Sequence, residues 1–217
     1  MYRILFLNSC LLFVIVCFIS CQSNKIQPTL PYYNQSDFTP IFIQNNSEVD
    51  DNITHTIGNF SFINQDKKVV TQHDVEGKIH VANFIFTTCG SICPRLTEEM
   101  MRVADAYEKD TSVVILSFTV RPAIDTPEKL KLYTKNKGIT KTNWHFLTGN
   151  KASIYSLART AYFAEEDIGF TKDSTEFLHT EHFILVDKLK RIRGIYNGTL
   201  QLEAEQLIKD IALLKAE

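Results

Sequence analysis

Short apolar runs alternate with amphipathic stretches through the middle of the chain, a pattern that predicts strands separated by helices. The run Ile79 to Phe86 is almost wholly apolar, as expected of a central strand covered on both faces. A second such run spans Val113 to Phe118. Apolar residues recur at helical spacing between the two runs, at Leu96, Met100, Val103, Ala104 and Tyr107. The pattern therefore predicts a β-α-β unit with a right-handed crossover.

The remaining pattern adds helices and a hairpin. Thr126-Pro127-Glu128 is typical of a helix start, and Gly138 is typical of the end of that helix. The other predicted elements are an edge strand or hairpin arm at Ile57 to Ile63, a helix at Lys151 to Tyr162, strands at Phe183 to Val186 and Ile192 to Tyr196 joined by the turn Asp187 to Arg191, and a last helix striped by Leu207, Ile208, Ile211 and Leu214. This order predicts an α/β protein with a thioredoxin-like fold, in which helices sandwich a mixed central sheet that carries a helical insertion and a β-hairpin.

Composition and charge narrow the function classes. The 217 residues are 44% apolar, which is enough for one domain with a substantial core. Lys and Arg number 23 against 25 Asp and Glu, so the chain has no positive excess with which to neutralise nucleic-acid phosphates. Cysteines occur at Cys10, Cys17 and Cys21 and then only at Cys89 and Cys93, which excludes a disulfide-stapled scaffold.

The N-terminus has the layout of an export signal. Arg3 supplies the positive end, an apolar stretch runs from Cys10 to Ile19, and the small residue Ser20 precedes Cys21. Phe18 to Cys21 resembles a bacterial lipobox, which implies cleavage before Cys21 and acylation of its sulfur. The alternative is an uncleaved anchor at residues 4–20. Both interpretations place the domain outside the cytoplasm on a membrane tether, and the lipoprotein interpretation makes it a membrane-anchored lipoprotein facing the periplasm.

Three regions follow from these signals. Residues 1–20 are expected to be the signal peptide and residues 53–217 the folded domain. Residues 21–52, rich in Asn, Gln, Ser, Asp and Pro, are expected to form a flexible stalk. The apolar patches of the stalk, Tyr32-Tyr33 and Ile41 to Ile43, are expected to pack on the domain, with docking to a partner as the alternative.

The candidate chemistry is concentrated at Cys89 and Cys93, directly after the first central strand. A helix that begins near Cys89 would place both sulfur atoms on one face at its N-terminus, where free N–H groups and the helix dipole lower thiol pKa values. The Cα atoms of residues i and i+4 of a helix lie roughly 6.2 Å apart, and a disulfide accepts up to ~6.8 Å. The spacing therefore leaves redox exchange and soft-metal binding both open, with a peroxidase or a zinc site as further alternatives.

Four segments together resemble the SCO/SenC family, which comprises membrane-tethered, thioredoxin-fold copper proteins that assist cytochrome c oxidase assembly. They are Phe86 to Pro94 with its C-x-x-x-C-P signature, Ser117 to Glu128, Trp144 to Gly149, and His179-Thr180 ahead of an apolar strand. The similarity covers about residues 55–215. It implies a metallochaperone more than an enzyme, and it implies that the partner is the copper-accepting subunit of a respiratory oxidase or another exported copper protein. Thiol-disulfide oxidoreductase activity is the alternative.

The resemblance assigns Cys89, Cys93 and His179 as ligands of one copper ion per chain, as Cu(I) or Cu(II). The two cysteines are also expected to form a reversible disulfide in the metal-free protein. His182 is the rival histidine ligand, but it is expected to be a strand side chain. Met100 is expected in the core, and Trp144 in the core or at the base of the site. The isolated histidines receive no role: His55, His73, His80 and His145.

Two departures from the family pattern concern the rim of the site. Family members commonly carry Pro-Asp where this chain has Gly90-Ser91, and an aspartate where it has Arg121. Two acidic side chains are therefore missing near the expected metal, although the three expected ligands are present. Since rim charge governs partner choice and association rate, the departures concern the copper acceptor rather than the copper site.

Overall fold

A computed structural model describes residues 29–164 and 180–217. Within these ranges the chain forms seven strands and five α-helices around one sheet. The strands are β1 Ser61–Asn64, β2 Val69–Thr71, β3 Ile79–Ile85, β4 Val113–Thr119, β5 Trp144–Thr148, β6 His182–Val186 and β7 Ile192–Asn197. The helices are α1 Val49–Asn52, α2 Ile92–Ala106, α3 Pro127–Asn136, α4 Lys151–Ser156 and α5 Gln201–Ala216. A π-helical turn, Leu157–Ala161, continues α4, and short 3₁₀ turns lie at Asn46–Glu48 and Gln72–Asp74.

The sheet is mixed and has the order β2-β1-β5-β4-β3-β6-β7. The central strands β3, β4 and β5 are parallel, whereas β1 pairs antiparallel to β5 and β6 pairs antiparallel to β3. Each residue of β3 and β4 is buried, because helices cover both faces of the sheet. This mixed sheet between helices, with β1 and β2 as a hairpin at one edge, confirms the predicted fold class.

Two apolar clusters lie on opposite faces of the sheet. One contains the α4 region, with Ile154, Tyr155 and Tyr162 packed over β3 and β4. The other joins α2 and α5 to the sheet through side chains such as Met100 and Leu207. Met100 is therefore a core residue, as expected. None of the helices in the described ranges has both the length and the apolar character that crossing a bilayer requires.

Two strands differ from the sequence expectation. The edge strand or hairpin arm expected at Ile57 to Ile63 is the hairpin arm β1, which is shorter than expected and lies second from the edge because β2 pairs outside it. The pattern also gave no separate strand at Trp144–Thr148, yet β5 occupies the position between β1 and β4. Only the tertiary neighbours of β5 show that this five-residue segment belongs to the sheet.

The helix at the cysteine pair begins later than expected. The N-cap of α2 is Ser91 and its first residue is Ile92, so Cys89 precedes the helix and Cys93 lies in its first turn. The backbone N–H of Cys89 donates to the carbonyl of Phe86 at 3.2 Å, which closes a turn after β3. Residue 89 is part of this turn rather than of the helix, and the two cysteines therefore have different backbone environments.

The described part of the expected stalk packs on the domain. Residues 30–53, here named the strap, pair with the sheet edge through Tyr33 and Ile192, and Tyr32 is buried with Val49 and Ile53. Arg193 holds the first residues of the strap, because its guanidinium donates to the carbonyls of Leu30 at 3.0 Å and Pro31 at 3.1 Å. Packing therefore begins near residue 30, and the apolar patches Tyr32-Tyr33 and Ile41 to Ile43 pack as expected.

Candidate metal centre

The cysteine pair lies where the central strand β3 meets the start of α2. Cys89 is half-buried in the turn after the strand, whereas Cys93 is only 3% exposed. Neither cysteine forms a disulfide in the structure. Strand β3 is covered on both faces, so the turn that follows it is carried to one end of the sheet and opens there toward the surface.

A cavity of about 370 Å³ opens beside the two sulfur-bearing residues. Its wall includes Phe84, Phe86 and Val120, and Thr180 contributes from the chain just before β6. No carboxylate of the described residues lines it. A wider groove of about 640 Å³ runs along the outer face of α2 among charged side chains such as Arg95, Glu98 and Arg102, but it contains neither cysteine. The smaller, sulfur-lined cavity is therefore the candidate site.

The two thiols differ in their acid–base character. Partial burial raises the pKa of the Cys89 thiol. Hydrogen bonds to its sulfur lower this pKa by more than burial raises it, so the net shift is downward. The donors are the backbone N–H groups of Cys93, Ser91 and Ile92 and the Cys93 thiol. Burial raises the pKa of the Cys93 thiol to about 12, and the negative charges of Cys89 and Asp125 add to this rise. Of the two thiols, Cys89 therefore loses its proton more readily, and Cys93 is the harder to deprotonate.

A buried carboxylate braces the turn that carries Cys89. Asp125, in the loop between β4 and α3, is fully buried. Its Oδ2 accepts hydrogen bonds from the Thr87 N–H at 3.0 Å and the Thr119 hydroxyl at 2.6 Å, and its Oδ1 accepts from the Thr87 hydroxyl at 2.5 Å. The sequence pattern showed Asp125 only as part of a segment before a helix start. Its link to Thr87 depends on the adjacency of β3 and β4.

Arg121 lies on the rim of the site. Its guanidinium is 5.6 Å from the centre of the Phe86 ring, and its Nη1 is 3.5 Å from the Thr88 hydroxyl oxygen. Phe86 lines the cavity with Cys89. The residue that departs from the family pattern thus places a positive charge beside the cavity mouth.

The expected histidine ligand His179 and the expected lipidation site Cys21 lie outside the described residues. Thr180, which follows His179, lines the same cavity as the two cysteines. The rival His182 begins β6, and its ring packs edge-on against Phe38 with the ring centres 5.3 Å apart. Thr180 lines the cavity, whereas His182 is not among the described residues that line it.

The other residues weighed from the sequence lie away from the cavity. Trp144 is buried in the core, where its indole N–H donates to the Ser117 hydroxyl at 2.8 Å. His80 is fully buried against the Tyr162 hydroxyl, and His55 stacks on Phe163. His73 pairs with Glu76 at the surface, and His145 contacts Asn64. All four histidines thus have structural contacts.

The described part of the site suits a soft metal but does not complete a metal shell. Across residues 29–164 and 180–217, no three Cys, His, Asp or Glu side chains converge as a metal-binding group. Cys89 and Cys93 line a cavity to which the described residues contribute no carboxylate, and thiolate sulfur is a ligand that copper prefers. The expected third ligand, His179, lies outside these ranges.

Comparisons with known proteins point to a single family. A "SCO1 protein homolog" from Bacillus subtilis is 30% identical over 166 residues, which span 76% of this chain and 85% of that protein. A solved structure of BsSco, described as a member of the Sco family of cytochrome c oxidase assembly proteins with a disulfide switch, is 29% identical at a TM-score of 0.62. The match covers 74% of this chain and 93% of BsSco.

A third relative was solved with copper bound. ScoI from Bradyrhizobium japonicum is 25% identical at a TM-score of 0.58, and the match covers 74% of this chain and 99% of that protein. The sequence itself matches the SCO1/SenC family over residues 49–215, which include the cysteine pair, the Asp125 loop and the strands of the sheet. On this evidence the chain belongs to the SCO1/SenC family.

Proposed function

We propose that this protein binds one copper ion through Cys89, Cys93 and His179 and supplies copper to the copper-accepting subunit of a cytochrome c oxidase. The observation that carries the proposal is that Cys89 and Cys93 line one cavity whose described wall contains no carboxylate. Thr180, the residue after His179, lines the same cavity. Relatives described as assembly proteins of that oxidase, and one solved with copper bound, support the choice of metal and acceptor.

The donor set accounts for the choice of copper. Two thiolates provide the soft ligands that Cu(I) prefers, and an imidazole also allows Cu(II). Copper binding requires that Cys93 lose its proton, and the charge of the metal offsets the burial that opposes this loss. The half-buried position of Cys89 leaves one side of the site accessible, as a site that passes its metal to another protein requires.

The proposed location follows from the N-terminal sequence. Acylation of Cys21 would hold an exported domain at the periplasmic side of a membrane, with only a short segment before the strap begins at residue 30. Tethering raises the effective concentration of the domain near a partner in the same membrane, so a weak contact suffices for transfer. Mass measurement of the mature protein tests this point, because a diacylated N-terminal Cys21 is expected.

Ligand substitutions test the copper site. Purification under reducing conditions followed by metal analysis is expected to yield about one copper per chain and no stoichiometric zinc. Cys89→Ser and Cys93→Ser should each abolish stoichiometric Cu(I) binding, and His179→Ala should weaken it or change the Cu(II) spectrum. His182→Ala is the matched control and should bind like the parent protein. If His182→Ala disrupted the site and His179→Ala did not, the histidine assignment would be wrong.

Thiol-disulfide exchange is the second candidate function. It is favoured by one observation, the pairing of an accessible thiol of lowered pKa, Cys89, with a buried protonated thiol, Cys93. This asymmetry resembles that of an attacking and a resolving cysteine. The target would be the cysteines of an oxidase subunit or of other exported proteins.

Oxidase activity in a deletion strain separates the two functions. Copper delivery predicts that the deletion lowers oxidase activity and that excess copper restores it without general disulfide defects. Thiol reduction predicts restoration by added thiol. Rescue by thiol alone would contradict the copper-delivery proposal.

A further inference from the structure

Asp125 is a buried carboxylate whose hydrogen-bond partners come from two neighbouring strand ends. Strands β3 and β4 run parallel, with Ile85 beside Thr119 at their carboxyl ends. Thr87 follows β3 and Thr119 ends β4, and both donate hydrogen bonds to Asp125. The carboxylate therefore connects the turn of Cys89 to the end of the adjacent strand.

Burial of the Asp125 carboxylate is unfavourable in free energy unless hydrogen bonds or a counter-ion compensate its charge. No lysine or arginine among the described residues forms an ion pair with it. Its compensation within these ranges consists of three hydrogen bonds, two of them from Thr87. A neutral amide at this position can accept through only one of its two polar atoms.

The position of Thr87 determines the position of Cys89. Thr87 is the residue after Phe86, and the Phe86 carbonyl accepts the Cys89 N–H that closes the turn. Asp125 thus holds Thr87 in the first half of the turn, and the second half of the same turn carries the Cys89 sulfur.

We propose that Asp125 is the positioning residue of the turn that carries Cys89, holding that turn beside Cys93. This inference deepens the proposed function and rests on it for the role of copper. The positioning itself acts on the cysteine pair with or without metal, so it can be tested in the metal-free protein.

The test is the equilibrium between disulfide and dithiol. In dithiothreitol buffers the Cys89–Cys93 disulfide gains two electrons and two protons, and dithiothreitol is oxidised to its cyclic disulfide. Asp125→Asn should favour the dithiol by about tenfold, a rise of about 30 mV in reduction potential. The shift has this direction because a looser turn brings the two sulfur atoms together less often.

Asp110 offers a matched control. It sits near the opposite end of β4, where Oδ1 accepts hydrogen bonds from the Ser112 N–H at 3.0 Å and the Ser112 hydroxyl at 2.6 Å. Asp110→Asn should lower stability but leave the dithiol equilibrium within about twofold of the parent. If Asp125→Asn behaved like Asp110→Asn, Asp125 would be a purely structural residue and the inference would be wrong.

A second variant tests the inference even if Asp125→Asn does not fold. Thr87→Val removes a hydroxyl donor to Asp125 while keeping the carboxylate, so it should shift the same equilibrium in the same direction by a smaller factor. An unchanged equilibrium in folded Thr87→Val would also contradict the inference. Copper binding by the parent protein is measured separately, so loss of the copper proposal would leave the redox result interpretable.

Discussion

Cys89 and Cys93 line the same cavity, but Cys89 is half-buried whereas Cys93 is only 3% exposed. The two residues are four positions apart, yet one lies in a turn and the other in the first turn of α2. Burial raises the pKa of both thiols, but hydrogen bonds make the net shift of Cys89 downward, whereas burial and charge make that of Cys93 upward. The pair therefore contains one reactive and one protected thiol.

The first prediction is that alkylating reagents modify Cys89 before Cys93 in the reduced, metal-free protein. The thiolate is the nucleophile, so the Cys89 rate should rise with pH and level off at a lower pH than for an ordinary cysteine. Cys93, with a pKa of about 12, should react at least about tenfold more slowly at pH 7. Peptide mass mapping measures both rates.

Unfolding provides the control for this prediction. In concentrated urea the two residues should react at similar rates, because the burial and hydrogen bonds that distinguish them are lost. Faster labelling of Cys93 than of Cys89 in the folded protein would show that the assigned asymmetry is reversed.

The second prediction is that oxidation controls copper loading. A mild oxidant should remove two alkylatable thiols from the metal-free protein by joining Cys89 to Cys93, and the oxidised protein should not take up stoichiometric copper. Thiol reductant should restore both properties. The readouts are alkylation followed by mass measurement and copper content on the same sample. A pair that keeps both thiols under oxidant would leave copper binding without a redox gate.

The third prediction concerns His80, which is fully buried with its Nε2 3.1 Å from the Tyr162 hydroxyl. Burial lowers the pKa of His80 to about 3. The unfolded chain, with an ordinary histidine pKa near about 6.5, therefore binds more protons than the folded protein between these values. The contribution to stability is present above about pH 6.5 and is lost as pH falls toward 3, with a slope of up to about 1.4 kcal/mol per pH unit.

Urea unfolding across this pH range measures the effect. His80→Gln should reduce the slope of unfolding free energy against pH, because the titrating group is gone. His73→Gln changes an exposed histidine that pairs with Glu76 and should leave the slope nearly unchanged. Equal slopes for the parent and His80→Gln would show that His80 does not titrate on unfolding.

The fourth prediction is that Arg193 holds the strap on the domain. Arg193 is 2% exposed, pairs with both carboxylate oxygens of Glu217 at 2.7 and 3.0 Å, and donates to the carbonyls of Leu30 and Pro31. Arg193→Ala removes the hydrogen bonds that these carbonyls and the Glu217 carboxylate accept and should destabilise the protein by about 2–3 kcal/mol. Urea unfolding gives the energy, and limited proteolysis should show earlier cleavage within residues 30–53.

Glu217→Gln is the matched variant at this contact. It keeps the strap carbonyls bound to Arg193 and should cost about 1 kcal/mol or less, because the Glu217 side chain is partly exposed. Proteolysis of the strap that is unchanged in folded Arg193→Ala would mean that packing of Tyr32, Val49 and Ile53 alone retains the strap.

The sequence by itself determined most of the element order and the location of the chemistry. The apolar runs of β3 and β4 and the helical periodicity of α2 are local patterns, and their match in the structure reflects burial on both faces of the sheet and on one face of a helix. The cap and proline at the start of α3 are equally local, with the Thr126 side chain accepting the Lys129 N–H. The cysteine spacing and the neighbouring motifs likewise identified the family.

Only the tertiary structure decided how the two cysteines differ. Their spacing predicted equivalent positions for Cys89 and Cys93 on one helix face. In the structure Cys89 lies in the turn closed by the Phe86 carbonyl, before the helix begins. The partnership of Asp125 with Thr87 joins residues 38 positions apart, and that of Arg193 with Leu30 joins residues 163 apart. Such contacts depend on which strands become neighbours, and sheet order is a property of the whole chain rather than of any local pattern.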